Sequence, residues 1–213
     1  MQTNDRPISE LMISINKGAI QLPDFQRGWV WEDGRIKALI ASITNNYPVG
    51  AAMFLEYGND NIRFKYRVIE GVTATDVIPT ELILDGQQRL TSIYSSLYSR
   101  NAVHTRTDKG KKIFRYYYID IKKACDPNCD RVDAIFSVPE TRIITSNFGR
   151  NIELDLSDRT KEFENKMFPL NLILDFPEEQ NWQNEYYAFY NYNQEIIKEF
   201  TEFNKKIIMQ TLQ

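Results

Sequence analysis

The run LILDGQQRLTS, residues 82–92, gathers Asp85, Gly86, Gln87, Gln88 and Arg89 where one apolar pattern stops and another starts. Leu82, Ile83 and Leu84 read as a buried strand. Leu90, Ile93, Tyr94 and Leu97 follow at helical spacing. The first turn of a helix leaves backbone N–H groups without intrahelical partners, and the helix dipole adds positive potential there. Such a turn is a natural seat for phosphate. Gly86 lets backbone approach a ligand closely. Arg89, about one turn in, can fork onto phosphate oxygens. Gln87 and Gln88 supply donors and acceptors. Asp85 can cap the helix, hold a magnesium ion or orient a water. The plainer reading is an Asp-Gly helix start followed by ordinary exposed Gln and Arg. A Walker-type GxxxxGK[ST] loop is absent.

A second cluster lies upstream, in LPDFQRGWVWEDGRI. Phe25, Gln26, Arg27, Trp29 and Trp31 fall within seven residues. Aromatics stack on bases and arginine grips phosphate, so the segment reads as a recognition surface. Packing of Trp29, Val30 and Trp31 on the core is the alternative. A third feature is basic: residues 100–123 hold eight Lys/Arg against two Asp. Within it, Lys111, Lys112 and Arg115 are candidates for DNA contact, beside Tyr116, Tyr117 and Tyr118. A solvated hairpin is the competing account. Alternation sends Tyr116 and Tyr118 to one face of a strand and Tyr117 to the other.

These clusters need a scaffold, and 213 residues at 42% hydrophobic and 13% aromatic content are enough to build one. Net charge is −3, so bulk charge carries no argument for nucleic acid. The distribution is uneven, because residues 151–213 hold six Lys/Arg against twelve Asp/Glu. Cys125 and Cys129 are too few for a disulfide framework, and the single histidine, His104, is remote in sequence. No apolar run reaches the ~18 residues of a membrane span. The N-terminus lacks a signal-peptide core. A soluble cytoplasmic protein is expected.

Along the chain, Pro7 opens a helix carrying Ile8, Leu11, Met12 and Ile15, and Gly18 ends it. AIQL is a short strand. Ile36, Leu39, Ile40 and Ile43 mark a helix to about Asn46. YPVGAAMFLEY reads as turn and strand, residues 58–61 as a turn, and RFKYRVIEG as a hairpin arm. The helix after Gly86 is expected to reach about Arg100. IFRYYYIDI is a strand, 124–150 is loosely patterned, 158–167 looks helical, and 178–212 holds one or two helices. The predicted class is α+β. Residues 1–155 form the expected DGQQR domain and 156–213 a helical extension. The last helix stops uncapped at Gln213, which predicts continuation into a longer protein.

Taken together, IQLPDFQRGWVW, LIASITNNYPVGAAMF and LILDGQQRLTSIYSSL resemble the N-terminal domain of the GmrSD family of restriction proteins, known for its DGQQR motif. The likeness is strong over residues 7–100 and weak beyond. It implies a fold similar to ParB and sulfiredoxin, with nucleotide phosphates at a loop and a helix start. It further implies that Asp85, Gln87, Gln88 and Arg89 are catalytic. Gln26, Arg27, Gly86 and Arg89 would bind nucleotide, and Asp85 would hold Mg2+. Phe25, Lys111, Lys112 and Arg115 remain the expected DNA contacts. Family members act in phage defence, sensing modified DNA and using nucleotide hydrolysis to control cutting. The substrate would be GTP, ATP, CTP or UTP. Many members carry a C-terminal HNH nuclease domain. With one histidine, this chain has no HNH site, so a further domain or partner chain would supply it. A homo-oligomer is left open. The alternatives are a non-enzymatic DNA-sensing module and a ParB-like nuclease.

Overall fold

The computed structural model describes residues 5–58 and 64–212. Pro7 stands at the N-cap of α1 (Ile8–Asn16), where its missing N–H is not needed. Met12 and Ile15 are fully buried. Gly18, at φ +73°, turns the chain into β1 (Ile20–Pro23). After the 24–32 loop, α2 (Asp33–Thr44) buries Ile36, Leu39, Ile40 and Ile43, the face that the 3.6-residue period requires. Then come β2 (Met53–Glu56), β3 (Tyr66–Arg67), β4 (Glu81–Asp85) and α3 (Gln87–Leu97).

These strands form a mixed sheet in the order β2-β4-β1-β3. β4 runs parallel to β1, with Ile20 opposite Glu81 and Gln21 opposite Leu82. All four residues of β1 are buried, as a central strand demands. β2 and β3 flank the pair, each antiparallel to its neighbour. Because β1 and β4 are adjacent and parallel, their carboxyl ends open on the same edge. The PDFQR loop and the DGQQR turn therefore emerge side by side. That edge is where ligands bind in open sheets with parallel strands.

The expected hairpin arm is not paired with β2. Tyr66 and Arg67 pair with β1 across the sheet, because β4 takes the β2 edge. Asn59, Asp60 and Asn61 of the predicted turn lie outside the described residues.

A second sheet is built on β6 (Lys112–Asp120). β5 (Val103–Arg106) and β10 (Met167–Pro169) share one of its edges and β7 (Ile135–Pro139) takes the other. α4 (Ile121–Cys125) and α5 (Arg131–Ala134) precede β7, and β8 (Ile143–Ser146) pairs with β9 (Asn151–Asp155). α6 (Arg159–Glu164) is shorter than the predicted 158–167 helix, because Met167 enters β10. α7 (Phe176–Phe189) and α8 (Gln194–Phe203) are separated by left-handed Asn191 and Tyr192. α8 continues through a π-helical turn at Asn204–Ile208. α3 ends at Leu97, short of the expected Arg100. The class is α+β, and the mixed sheet is consistent with a ParB-like arrangement. One hydrophobic cluster includes Met12 of α1, Ile83 of β4, Trp182 of α7 and Phe200 of α8. Among the described residues no helix is long and apolar enough to cross a membrane.

Candidate functional site

Gly86 sits at φ +91° and ψ 2° as the N-cap of α3. That left-handed conformation favours glycine. A Cβ there would also come within 3.1 Å of the Ala52 Cβ. No side chain caps the helix. Asp85 precedes the cap by one residue, and its side chain, 75% exposed, points outward to lie 3.6 Å from Arg89 Nη2. The expected capping role is thus corrected: Gly86 occupies the only position from which a cap could act. The first intrahelical bond is Leu90 N–H to Gly86 C=O, at 3.0 Å. The amides of Gln87, Gln88 and Arg89 have no side-chain acceptor from the cap residue.

The glutamines tie the 24–31 loop to this turn. Gln26 Nε2 donates to the carbonyls of Ile83 (3.1 Å) and Leu84 (2.9 Å) at the end of β4. Gln87, nearly buried, donates to Arg27 C=O at 2.6 Å. Gln88 accepts from Val30 N–H at 3.0 Å and donates to Gly28 C=O at 3.1 Å. Trp29 Nε1 donates to Ser92 Oγ of α3 at 3.0 Å. Arg67 Nη2 adds a bond to Gln26 C=O at 3.1 Å.

Arg89 holds the other side. Its Nη1 donates to Val49 C=O at 2.7 Å and its Nη2 to Ala51 C=O at 2.6 Å. Gly50, at φ +87°, lets the guanidinium lie against the backbone, and its nearest non-neighbouring atoms belong to Arg89. This part of the site was missed in the sequence. Its one signal was Gly50 after Pro48, a turn pair that does not announce an arginine partner 39 positions away.

Gln26, Arg27, Trp31, Asp85, Gly86, Gln87, Gln88 and Arg89 line one cleft of about 360 Å³. The two sequence clusters are brought together. Arg27 is exposed, and its guanidinium forms no ion pair among the described residues.

Residues 8–213 match the family described as GmrSD restriction endonuclease, N-terminal domain. The chain belongs to that family. The match runs well past residue 100, where the motif likeness faded. An uncharacterized protein of Methanocaldococcus jannaschii is 30% identical over 196 residues, which cover 89% of this chain and 31% of that protein. The chain thus spans about a third of its relative's length.

Within this GmrSD N-terminal domain the DNA candidates lie apart from the cleft lining. Phe25 is 68% exposed and meets Phe64 edge-on at 5.5 Å. Lys111 and Lys112 are exposed on the β5–β6 hairpin. Arg115 pairs with Val103 in that hairpin, and its Nε is buried without a hydrogen bond among the described residues. The hairpin leans on the 24–32 loop: Thr105 Oγ1 donates to Trp31 C=O at 2.8 Å, and Arg106 Nη2 lies 3.4 Å from Glu32 Oε1.

Asp85 is the sole carboxylate in the cleft lining. Among the described residues no group of three or more His, Cys, Asp or Glu could cage a metal. Magnesium commonly takes one or two carboxylates and completes its shell with phosphate oxygens and water. The donor set therefore fits Mg2+ that arrives with a nucleotide.

Proposed function

We propose that this chain is the nucleotide-binding and nucleotide-hydrolysing regulatory domain of a cytoplasmic phage-defence restriction system that acts on modified DNA. The nuclease would reside in a further domain or partner chain. Family membership supports the restriction setting. The observation that carries the nucleotide reading is the α3 start: left-handed Gly86, no side-chain cap, and exposed Arg27 and Asp85 lining the same cleft.

In this reading the α3 amides and Arg27 hold the phosphates. Asp85 orients the water that attacks the terminal phosphorus as its bridging P–O bond breaks, and it would hold the Mg2+ that neutralises phosphate charge. Gln26, Gln87 and Gln88 fix the loop that carries Arg27. Arg89 fixes the Val49–Ala51 segment against the turn, so it acts chiefly by positioning. Positioning and charge neutralisation suffice for phosphoryl transfer.

The test is equilibrium binding of GTP, ATP, CTP and UTP with Mg2+ to the wild type, Arg27→Ala and Arg89→Ala, beside their melting curves. Saturable binding that weakens in Arg27→Ala without a melting change is expected. A folded wild type that binds none of the four would end this reading.

A second reading, DNA sensing without turnover, draws on the exposed Lys111 and Lys112 of a hairpin docked on the recognition loop.

A further inference from the structure

A second cavity lies away from the DGQQR cleft, with no residue in common. It measures about 210 Å³ and is lined by Arg100, Arg142 and Arg159, with Tyr116, Asn171 and Glu162 among its walls. The cavity sits between β6, the β7–β8 turn, α6 and the segment after β10.

The three arginines are not equally engaged. Arg100 donates to Asn171 C=O at 2.7 Å and pairs with Asp175 at 2.5 Å. Arg142 stacks its guanidinium 4.5 Å from the Tyr116 ring centre and forms no ion pair among the described residues. Arg159 reaches Glu162 at 3.7 Å and Glu185 at 3.6 Å, both too long for hydrogen bonds. Its Nη1 is buried and makes no hydrogen bond among the described residues, although Glu185 Oε2 lies 3.6 Å from it. A buried donor without a hydrogen bond is destabilising and calls for an explanation.

Glu162, which faces Arg159 Nε, is bonded elsewhere. Its Oε1 accepts from Tyr118 OH at 3.0 Å and its Oε2 from Trp182 Nε1 at 2.9 Å. Burial, the dominant influence, pushes its carboxyl pKa up, while Trp182, Tyr118 and the arginines pull it down. Glu178 adds a second acid to the lining.

The β7–β8 turn fixes where Arg142 stands. Arg142 adopts φ +59°, a left-handed conformation that Gly or Asn takes with less strain. Arg142 N–H to Pro139 C=O (2.8 Å) and Leu156 N–H to Arg142 C=O (2.9 Å) hold it there.

We infer that this cavity binds the phosphoryl group of a small ligand, held by Arg142 and Arg159 over the Tyr116 ring. A carboxylate has two oxygens and satisfies one guanidinium fork. A phosphoryl group offers three or more acceptors and can serve two guanidinium groups approaching from different elements. The inference goes beyond the nucleotide reading and does not depend on it.

Calorimetric titration with inorganic phosphate at constant ionic strength tests it, with acetate as the carboxylate control. The proteins are the wild type, Arg142→Gln, Arg159→Gln, Arg142→Gly and Arg27→Ala. Saturable phosphate binding is expected, weakened about tenfold or more in both glutamine variants and still present in Arg27→Ala, which removes only the ion held at the DGQQR cleft. Arg142→Gly relieves the left-handed backbone, so it should melt no lower than the wild type yet still lose the ion. Competition by a nucleoside monophosphate would identify a phosphorylated ligand, and its absence the free ion; both keep the phosphoryl chemistry. A wild type without saturable binding would overturn the inference. So would an affinity and stoichiometry in Arg142→Gly equal to those of the wild type, or binding that disappears in Arg27→Ala and persists in full in Arg142→Gln.

Discussion

At the residue scale, the turn at Gly86 separates two jobs that neighbouring residues share. Gly86 makes the geometry, and Asp85 supplies an exposed charge. Gly86→Ala should lower stability by about 1–2 kcal/mol through left-handed strain, with further loss from the Ala52 contact. Urea denaturation reads that change, and an unaltered midpoint would contradict the strain argument. Asp85→Asn should shift stability by no more than ~0.5 kcal/mol, since the side chain is exposed and caps nothing. Nucleotide turnover should nevertheless fall steeply, and turnover at the wild-type rate would remove Asp85 from the chemistry.

At the element scale, the 24–31 loop owes its place to glutamine side chains that bond backbone carbonyls on other elements. Gln87→Leu deletes the bond to Arg27 C=O inside a nearly buried site. We expect a loss of about 1–2 kcal/mol in chemical denaturation, with weakened nucleotide binding as Arg27 loses its anchor. Behind the second sheet, Glu162 links α6 to β6 and α7 through Tyr118 and Trp182. Burial raises its pKa in the folded state above the unfolded value. Its contribution to stability is therefore fully present below the unfolded glutamate pKa, about 4.3, and declines as pH rises through the raised folded pKa. Glu179, raised by burial as well, adds to the same trend. Melting temperatures of the wild type and Glu162→Gln, compared across that range, should move in the variant's favour as pH rises. Parallel curves would show that Glu162 titrates as it does unfolded.

At the scale of the whole molecule, charge is segregated although the total is small. The β5–β6 region is basic, while residues 151–213 carry twice as many acids as bases. The basic hairpin leans on the loop that lines the cleft, so bound DNA and bound nucleotide would meet through Trp31 and Glu32. If Lys111 and Lys112 each neutralise a phosphate, Lys111→Glu with Lys112→Glu should lower DNA affinity and reduce the salt slope by about 2. A slope equal to that of the wild type would place DNA elsewhere. The chain covers 31% of its archaeal relative.

Much of this was already legible in the residues. Periods of 3.6 marked α1, α2 and α3, because burial of one helix face is a local pattern. The Asp-Gly junction marked the β4–α3 turn, because left-handed backbone selects glycine locally. The pairing of β3 with β1 was not legible, since a two-residue strand carries too little pattern to choose its neighbour. Nor was the β7–β8 turn that puts Arg142 beside Tyr116, for the 124–150 segment shows no dominant period. The roles of Gln26, Gln87, Gln88 and Arg89 divided in the same way. Their presence at a helix start was written in the sequence. That three of them staple a distant loop, and that Arg89 grips Val49 and Ala51, was decided by the tertiary structure. The acceptors there are backbone carbonyls 38–60 residues away, and a carbonyl, common to every residue, leaves no mark on the sequence.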